Sequence, residues 1–199
     1  MTPSHTGAPG APGESPDAWD RSYAAQAVVQ THFDTADPGD LFGPLAATIA
    51  RLVGARRVAF AQLDESGRQL IPRTGAHGVT DEELGLAGAV PVHPQGTDSA
   101  SRVVFANAAV HARGSAGDPE VAPFSAFTRG LESVEIAVAS WRAANRPLGV
   151  LIAVDSERGG FTVDDVRVLR TAAQTAGAVW RHRQAESKLE RLYDERLGI

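Results

Sequence analysis

At 199 residues the chain has room for one domain with appendages, and 43% hydrophobic against 22% charged residues is an ordinary globular balance. A formal net charge of −5 argues against a surface that must neutralise many phosphates, so no nucleic-acid partner is expected. The absence of cysteine removes disulfides, zinc–thiolate sites, thiol nucleophiles and thioether-linked cofactors together.

Residues 1–14 are mostly Gly, Pro, Ala, Ser and Thr with almost nothing to bury, and read as a disordered tail. This start has neither the basic residues nor the apolar stretch of a secretory signal. No apolar run approaches the ~20 residues needed to span a bilayer. A cytoplasmic protein without membrane contact is the expectation. Ser15-Pro16-Asp17 looks like an N-cap followed by proline at the first helical position, and opens a helix over 15–34. Trp19, Tyr23, Ala24, Ala27 and Val28 are its expected inner side.

Asp37-Pro38 repeats that start. The next helix sets Leu41, Leu45, Ile49, Leu52 and Val53 on one side and stops at Gly54. A strand at 57–63, a turn at 64–67 and a strand from 68 towards 74 make a hairpin. Thr80 and Glu83 form a capping box for a short helix that Gly85 should end. Residues 89–92 suggest a short strand, which Pro91 and Pro94 confine to an edge. Asp98 caps a helix holding Val103, Val104 and Phe105. Residues 111–125 read as loop, after which Phe124, Phe127 and Leu131 turn inward.

Residues 134–141 read as a strand that turns through 143–146 into a second one. In that second strand, Leu148, Val150, Leu151, Ile152 and Val154 leave almost no polar position. A strand apolar on both faces belongs in the middle of a sheet. Thr162 then suits an N-cap, with Asp165 three residues on in a carboxylate form of the capping box and Asp164 favourable at the helix dipole. Val166, Leu169, Ala173, Ala176 and Trp180 follow helical spacing. Past Trp180 the register breaks, and Ala185, Leu189 and Leu192 begin a new, narrow seam over 181–199. An exposed helix with such a seam normally pairs with another. The other reading is a solvated helical tail.

Polar residues in the strands raise a separate question. Glu135 alternates with the apolar set of its strand. It is expected at an exposed or pocket-rim position, or, if covered, beside a partner such as Arg102. Gln62 poses the same question more weakly. His77, His93 and His111 show no ligand spacing, so no metal site is expected. Nucleotide-binding glycine loops, the GxSxG elbow and HExxH are all absent, and no enzyme activity is expected.

The run Pro147-Leu148-Gly149, an apolar strand, a charged loop, Phe161-Thr162-Val163-Asp164-Asp165 and a long helix resembles the C-terminal half of a GAF domain. More loosely, the resemblance covers 37–180. It implies an α+β fold with a central antiparallel sheet, strand order 2-1-5-4-3, flanked by helices. It also implies a ligand site between the sheet and the segment 94–131. Phe60, Gln62, Arg102, Phe105, His111, Phe124, Phe127 and Glu135 are the candidate lining. Members that bind cyclic nucleotides carry an Asn-Lys pair, then Phe, Asp and Glu. Here those places read Asp155, Ser156, Phe161, Asp165 and Val166, a poor match. Members that attach bilins or reduce free methionine sulfoxide need cysteines this chain lacks. Some sensor domains resembling this one hold haem through a single histidine, and that cofactor stays open.

The expected function is therefore a non-enzymatic sensory module. It would bind a small molecule and signal to a protein effector as a homodimer, through helices at 19–33 and 163–197, with Trp180, Leu189 and Leu192 at the dimer helix. The alternative is a dimerisation scaffold without ligand. The sequence holds no effector domain, so the chain acts on a partner or is part of a longer protein.

Overall fold

Strand β6 (Arg146–Ser156) has no face for water, since residues 149–154 are buried without a break. It lies between β1 (Ala55–Leu63) and β5 (Val134–Ala143), antiparallel to both, in a computed structural model that describes residues 16–35, 42–131 and 134–197. Next to β1 stand β2 (Gln69–Pro72) and then the two-residue β3 (Val90–Pro91), while β4 (Val110–Gly114) closes the far edge beside β5. Gly149 is needed where β6 crosses β1, because a Cβ there would lie 1.9 Å from the Ala61 carbonyl oxygen.

The sheet order β3-β2-β1-β6-β5-β4 contains the expected five-strand arrangement as β2-β1-β6-β5-β4. One strand comes from other residues than expected. Residues 110–114, read as the start of a loop, pair with β5, whereas the proline-bearing 90–91 sits on the opposite edge. Val110 and Ala112 do alternate with His111 and Arg113 as in a half-buried strand, but the run is only five residues long and glycines 114 and 117 hide it.

One sheet face carries α1 (Pro16–Thr35), α2 (Phe42–Val53) and α5 (Val163–Leu197). Leu45, Ile49, Phe60, Trp141, Leu151 and Leu169 are buried between them. The other carries α3 (Asp81–Ala87), α4 (Ser99–Ala106) and a 3₁₀ turn (Ala122–Phe124) over Val103, Val104, Phe124, Phe127 and Ile152. Leu41 and the Asp37-Pro38 start fall outside the described residues, as does the tail at 1–14. The Thr80–Glu83 capping box is present with both hydrogen bonds. Its helix runs through Gly85 and stops at Gly88, whose φ of 71° is left-handed; a lone glycine weakens a helix without ending it.

Helix α1 is rotated from the expected face. Ala25 and Val29 are fully buried, whereas Tyr23 is 78% exposed. Small apolar residues at 24, 25, 27, 28 and 29 surround most of the helix, so spacing alone leaves its rotation undecided. Arg21 decides it. Its guanidinium donates to the Asp165 carboxylate (2.5 Å) and to the Leu52 carbonyl (2.8 Å). Arg158 donates to the same carboxylate (2.8 Å) and to the Val53 carbonyl (2.5 Å). Asp165 itself closes the expected capping box, accepting from the Thr162 amide at 2.9 Å while its own amide donates to the Thr162 hydroxyl at 3.1 Å. One carboxylate thus joins α1, the end of α2 and the start of α5.

Helix α5 lies directly on strand backbone at Gly177, where a Cβ would stand 1.8 Å from the Arg142 carbonyl oxygen. Gly177→Ala should therefore destabilise the protein by about 1–3 kcal/mol, as overpacking does. Gly85→Ala, with open space around it, should stabilise by about 1 kcal/mol. Urea unfolding of the two variants checks both signs.

Burial by itself would raise the pKa of Asp165. The Thr162 amide, the Arg21 hydrogen bond and the Arg158 charge outweigh it and hold the value below the ordinary 3.8. A carboxylate depressed in the folded state adds stability above its unfolded pKa and loses it as pH falls through the folded one. Stability should thus decline on acidification below about pH 4. Asp165→Asn should cost about 3 kcal/mol at neutral pH and flatten that acid limb, as followed by thermal unfolding across pH.

Candidate functional site

The eight candidate lining residues do not form one pocket. Phe60 points from β1 towards the α2/α5 face, whereas Ala59 and Ala61 face α4. It packs on Phe42 (ring centroids 5.2 Å) and edge-on to Trp141 (5.6 Å). Trp180 completes the cluster against Phe42 (5.3 Å) and Trp141 (5.7 Å). Gln62, half-buried, follows two residues after Phe60 on the same strand and so on the same side. Expecting Phe60 beside Phe124 and Phe127 missed the pleat: a residue two along shares a face, but nothing in one strand says which face. Trp180, expected at the dimer helix, spends its ring largely on its own domain.

Beneath α4, Phe124 and Phe127 are 0% and 1% exposed, with Phe105 packed at the margin of the same cluster. Arg102 does not approach Glu135. It pairs at the surface with Glu120 at 2.5 Å. The cationic contact to this face comes instead from Arg142, whose guanidinium donates to the Val104 carbonyl at 2.6 Å and so caps α4.

The third location holds the most chemistry. Glu135 is not exposed: it retains 7% of its surface. Its Oε1 accepts from His111 Nε2 at 2.8 Å and from the Phe161 amide at 3.0 Å, and Arg113 stands 3.5 Å from Oε2. The pairing register sets Arg113 opposite Glu135 and His111 opposite Ala137, so both cations reach the carboxylate from the edge strand. Desolvation would raise the Glu135 pKa, but the His111 hydrogen bond, the Phe161 amide and the Arg113 charge together bring it below the ordinary value. An ionised carboxylate only accepts, so His111 presents Nε2–H to it. The Glu135 amide in turn donates to Asp155 Oδ1 at 3.2 Å. Sequence reasoning placed Glu135 and His111 in the candidate lining but neither Arg113 nor Asp155. The alternation His111–Arg113 in a strand was the signal that could have found the former.

This cluster reaches α5 through one bond, since Phe161 directly precedes the Thr162 cap. Helix α5 runs parallel to α1, with Arg21 near its start and Gln26 and Gln30 beside Gln174 and Ala178 in a shallow groove of about 620 Å³. Beyond Trp180 it continues to Leu197, a further ~25 Å at helical rise. On that stretch Leu189, Leu192 and Tyr193 are 55%, 48% and 65% exposed. Among the described residues no three of His, Asp and Glu converge as metal ligands, and no helix is long and apolar enough to cross a membrane.

Comparison with curated proteins found no match. Solved structures with the same fold include the GAF domain of an Acinetobacter phosphoenolpyruvate-protein phosphotransferase. It is 15% identical with a TM-score of 0.60, over 86% of this chain and 97% of that one. The second GAF domain of DevS from Mycobacterium smegmatis is 21% identical with a TM-score of 0.55, over 82% and 99%. Free methionine-R-sulfoxide reductase from Neisseria meningitidis, in complex with its substrate, is 19% identical with a TM-score of 0.58, over 87% and 96%. The family model described as GAF domain matches residues 37–179. The pattern around Pro147-Leu148-Gly149 and Phe161-Thr162, the sheet order and this match agree: the chain belongs to the GAF domain family, a family of regulatory and sensory domains.

Proposed function

We infer that this protein is a non-enzymatic sensory module that works as a homodimer through α1 and α5. The observation that carries the reading is the exposed apolar seam of Leu189, Leu192 and Tyr193, on a helix that has left its own domain behind. Such a seam costs free energy in water and is relieved by a second helix. The parallel α1 runs beside the proximal part of α5, so a change in the globular part has a mechanical route to the seam. A cytoplasmic setting and a protein effector complete the reading.

Absence of enzyme activity is supported by the chemistry available. The reductase of similar fold belongs to a group whose reaction the family resemblance ties to cysteines, and this chain has none. Haem finds little support at His111, whose Nε2 is already engaged by Glu135.

A second reading, a dimerisation scaffold without ligand, draws on the α4 face, where Phe124 and Phe127 fill the interior as core. The two readings share the dimer. Light scattering should give twice the chain mass for the full protein, and the single mass for Leu189→Asp combined with Leu192→Asp, with thermal stability of the domain little changed. A monomeric parent protein would remove both readings.

A further inference from the structure

Four strand ends meet at one end of the sheet. Arg56 of β1, Arg113 of β4, Glu135 of β5, and Asp155 and Ser156 of β6 line an open recess of about 320 Å³, bounded by Gly159. The pairs Ala55–Ser156 and Arg57–Val154 bracket Arg56 and Asp155, which stand at facing positions of neighbouring strands without forming a ladder pair themselves. Opposite charges so placed ordinarily pair. These do not. Asp155 takes a left-handed backbone (φ 53°) and gives one oxygen to the Glu135 amide. Among the described residues, neither the Arg56 guanidinium nor the second Asp155 oxygen has a partner.

The remaining charges of the recess are internally met. Glu135 is held by His111, Arg113 and the Phe161 amide, and Arg113 also donates to the Gly159 carbonyl at 2.8 Å. The four ionic side chains sum to zero formal charge. A dianion would meet two carboxylates along with the two guanidinium groups. A ligand with one charge of each sign meets a free cation and a free anion on neighbouring strands.

We propose that this recess binds a small zwitterion of the α-amino-acid type, its carboxylate on Arg56 and its ammonium on Asp155. The site lies at the strand ends, away from the α4 face. Gly159 of its wall belongs to the loop that feeds α5, so occupancy bears directly on the start of the signalling helix. That consequence rests on the sensory reading above; the binding itself does not.

The test adds the common L-amino acids singly to the full chain and follows the melting temperature and calorimetric binding. At least one should bind saturably and raise the melting temperature. Acetate and methylamine at the same concentration should not. Arg56→Ala and Asp155→Asn should each weaken binding at least tenfold. Asparagine accepts the left-handed backbone and retains an oxygen for the Glu135 amide, so Asp155→Asn keeps the fold while removing the charge. If Arg56→Ala fails to fold, Asp155→Asn decides. Lack of saturable binding by every amino acid, equal binding of acetate, or full binding by the folded variants would overturn the proposal. Light scattering on the same samples separates the two claims. A dimer that binds no amino acid defeats only this site, and a monomer that binds one defeats only the dimeric reading.

Discussion

The buried carboxylate of Asp165 is the constraint on which the rest of the arrangement depends. It is 1% exposed at the side chain and takes hydrogen bonds from Arg21 of α1, Arg158 of the loop before α5 and Thr162 at the α5 cap. The same two guanidinium groups reach the final carbonyls of α2, which a helix end leaves without intrahelical partners. Three helices are therefore fixed at one point by a charge that could not be buried unpaired. Apolar packing alone would not set the rotation of α1, because small apolar residues surround most of the helix where it meets α2 and α5.

From that junction the fold behaves as two cores sharing a wall. The wall is the central sheet, whose middle strands carry small and branched residues to both sides. On the α2/α5 side, four aromatic rings and Gly177 bring α5 down onto β5. On the α4 side, phenylalanines do the filling. Within the sheet, charged groups enter at the strand ends. There the edge strand β4 touches the start of α5 through His111, Glu135 and the Phe161 amide. Close packing of α5 on β5 continues as far as Trp180, and close-packed interiors deform little.

Much of this was legible in the chain. A strand without polar positions had to be central, and Thr162 with Asp165 had to start a helix, since both inferences rest on local chemistry with few alternatives. Side-chain destinations were harder. Phe60 went to the other face because alternation fixes parity without fixing sign. The cover over Glu135 was hidden because its partners His111 and Arg113 lie on a five-residue strand that glycines obscure, while Arg102 pairs with Glu120 instead. Arg21 and Asp165 stand 144 residues apart, a separation at which sequence spacing carries no information.

The most direct test of the account is a double-mutant cycle between α1 and α5. Unfolding free energies would be measured for Arg21→Ala, Asp165→Asn and the combination. If the carboxylate joins the two helices, the double variant should lose less than the sum of the singles, with a coupling of about 1–3 kcal/mol. Strict additivity, within about 0.5 kcal/mol, would mean that Arg21 and Asp165 act independently and that α1 is held by something else.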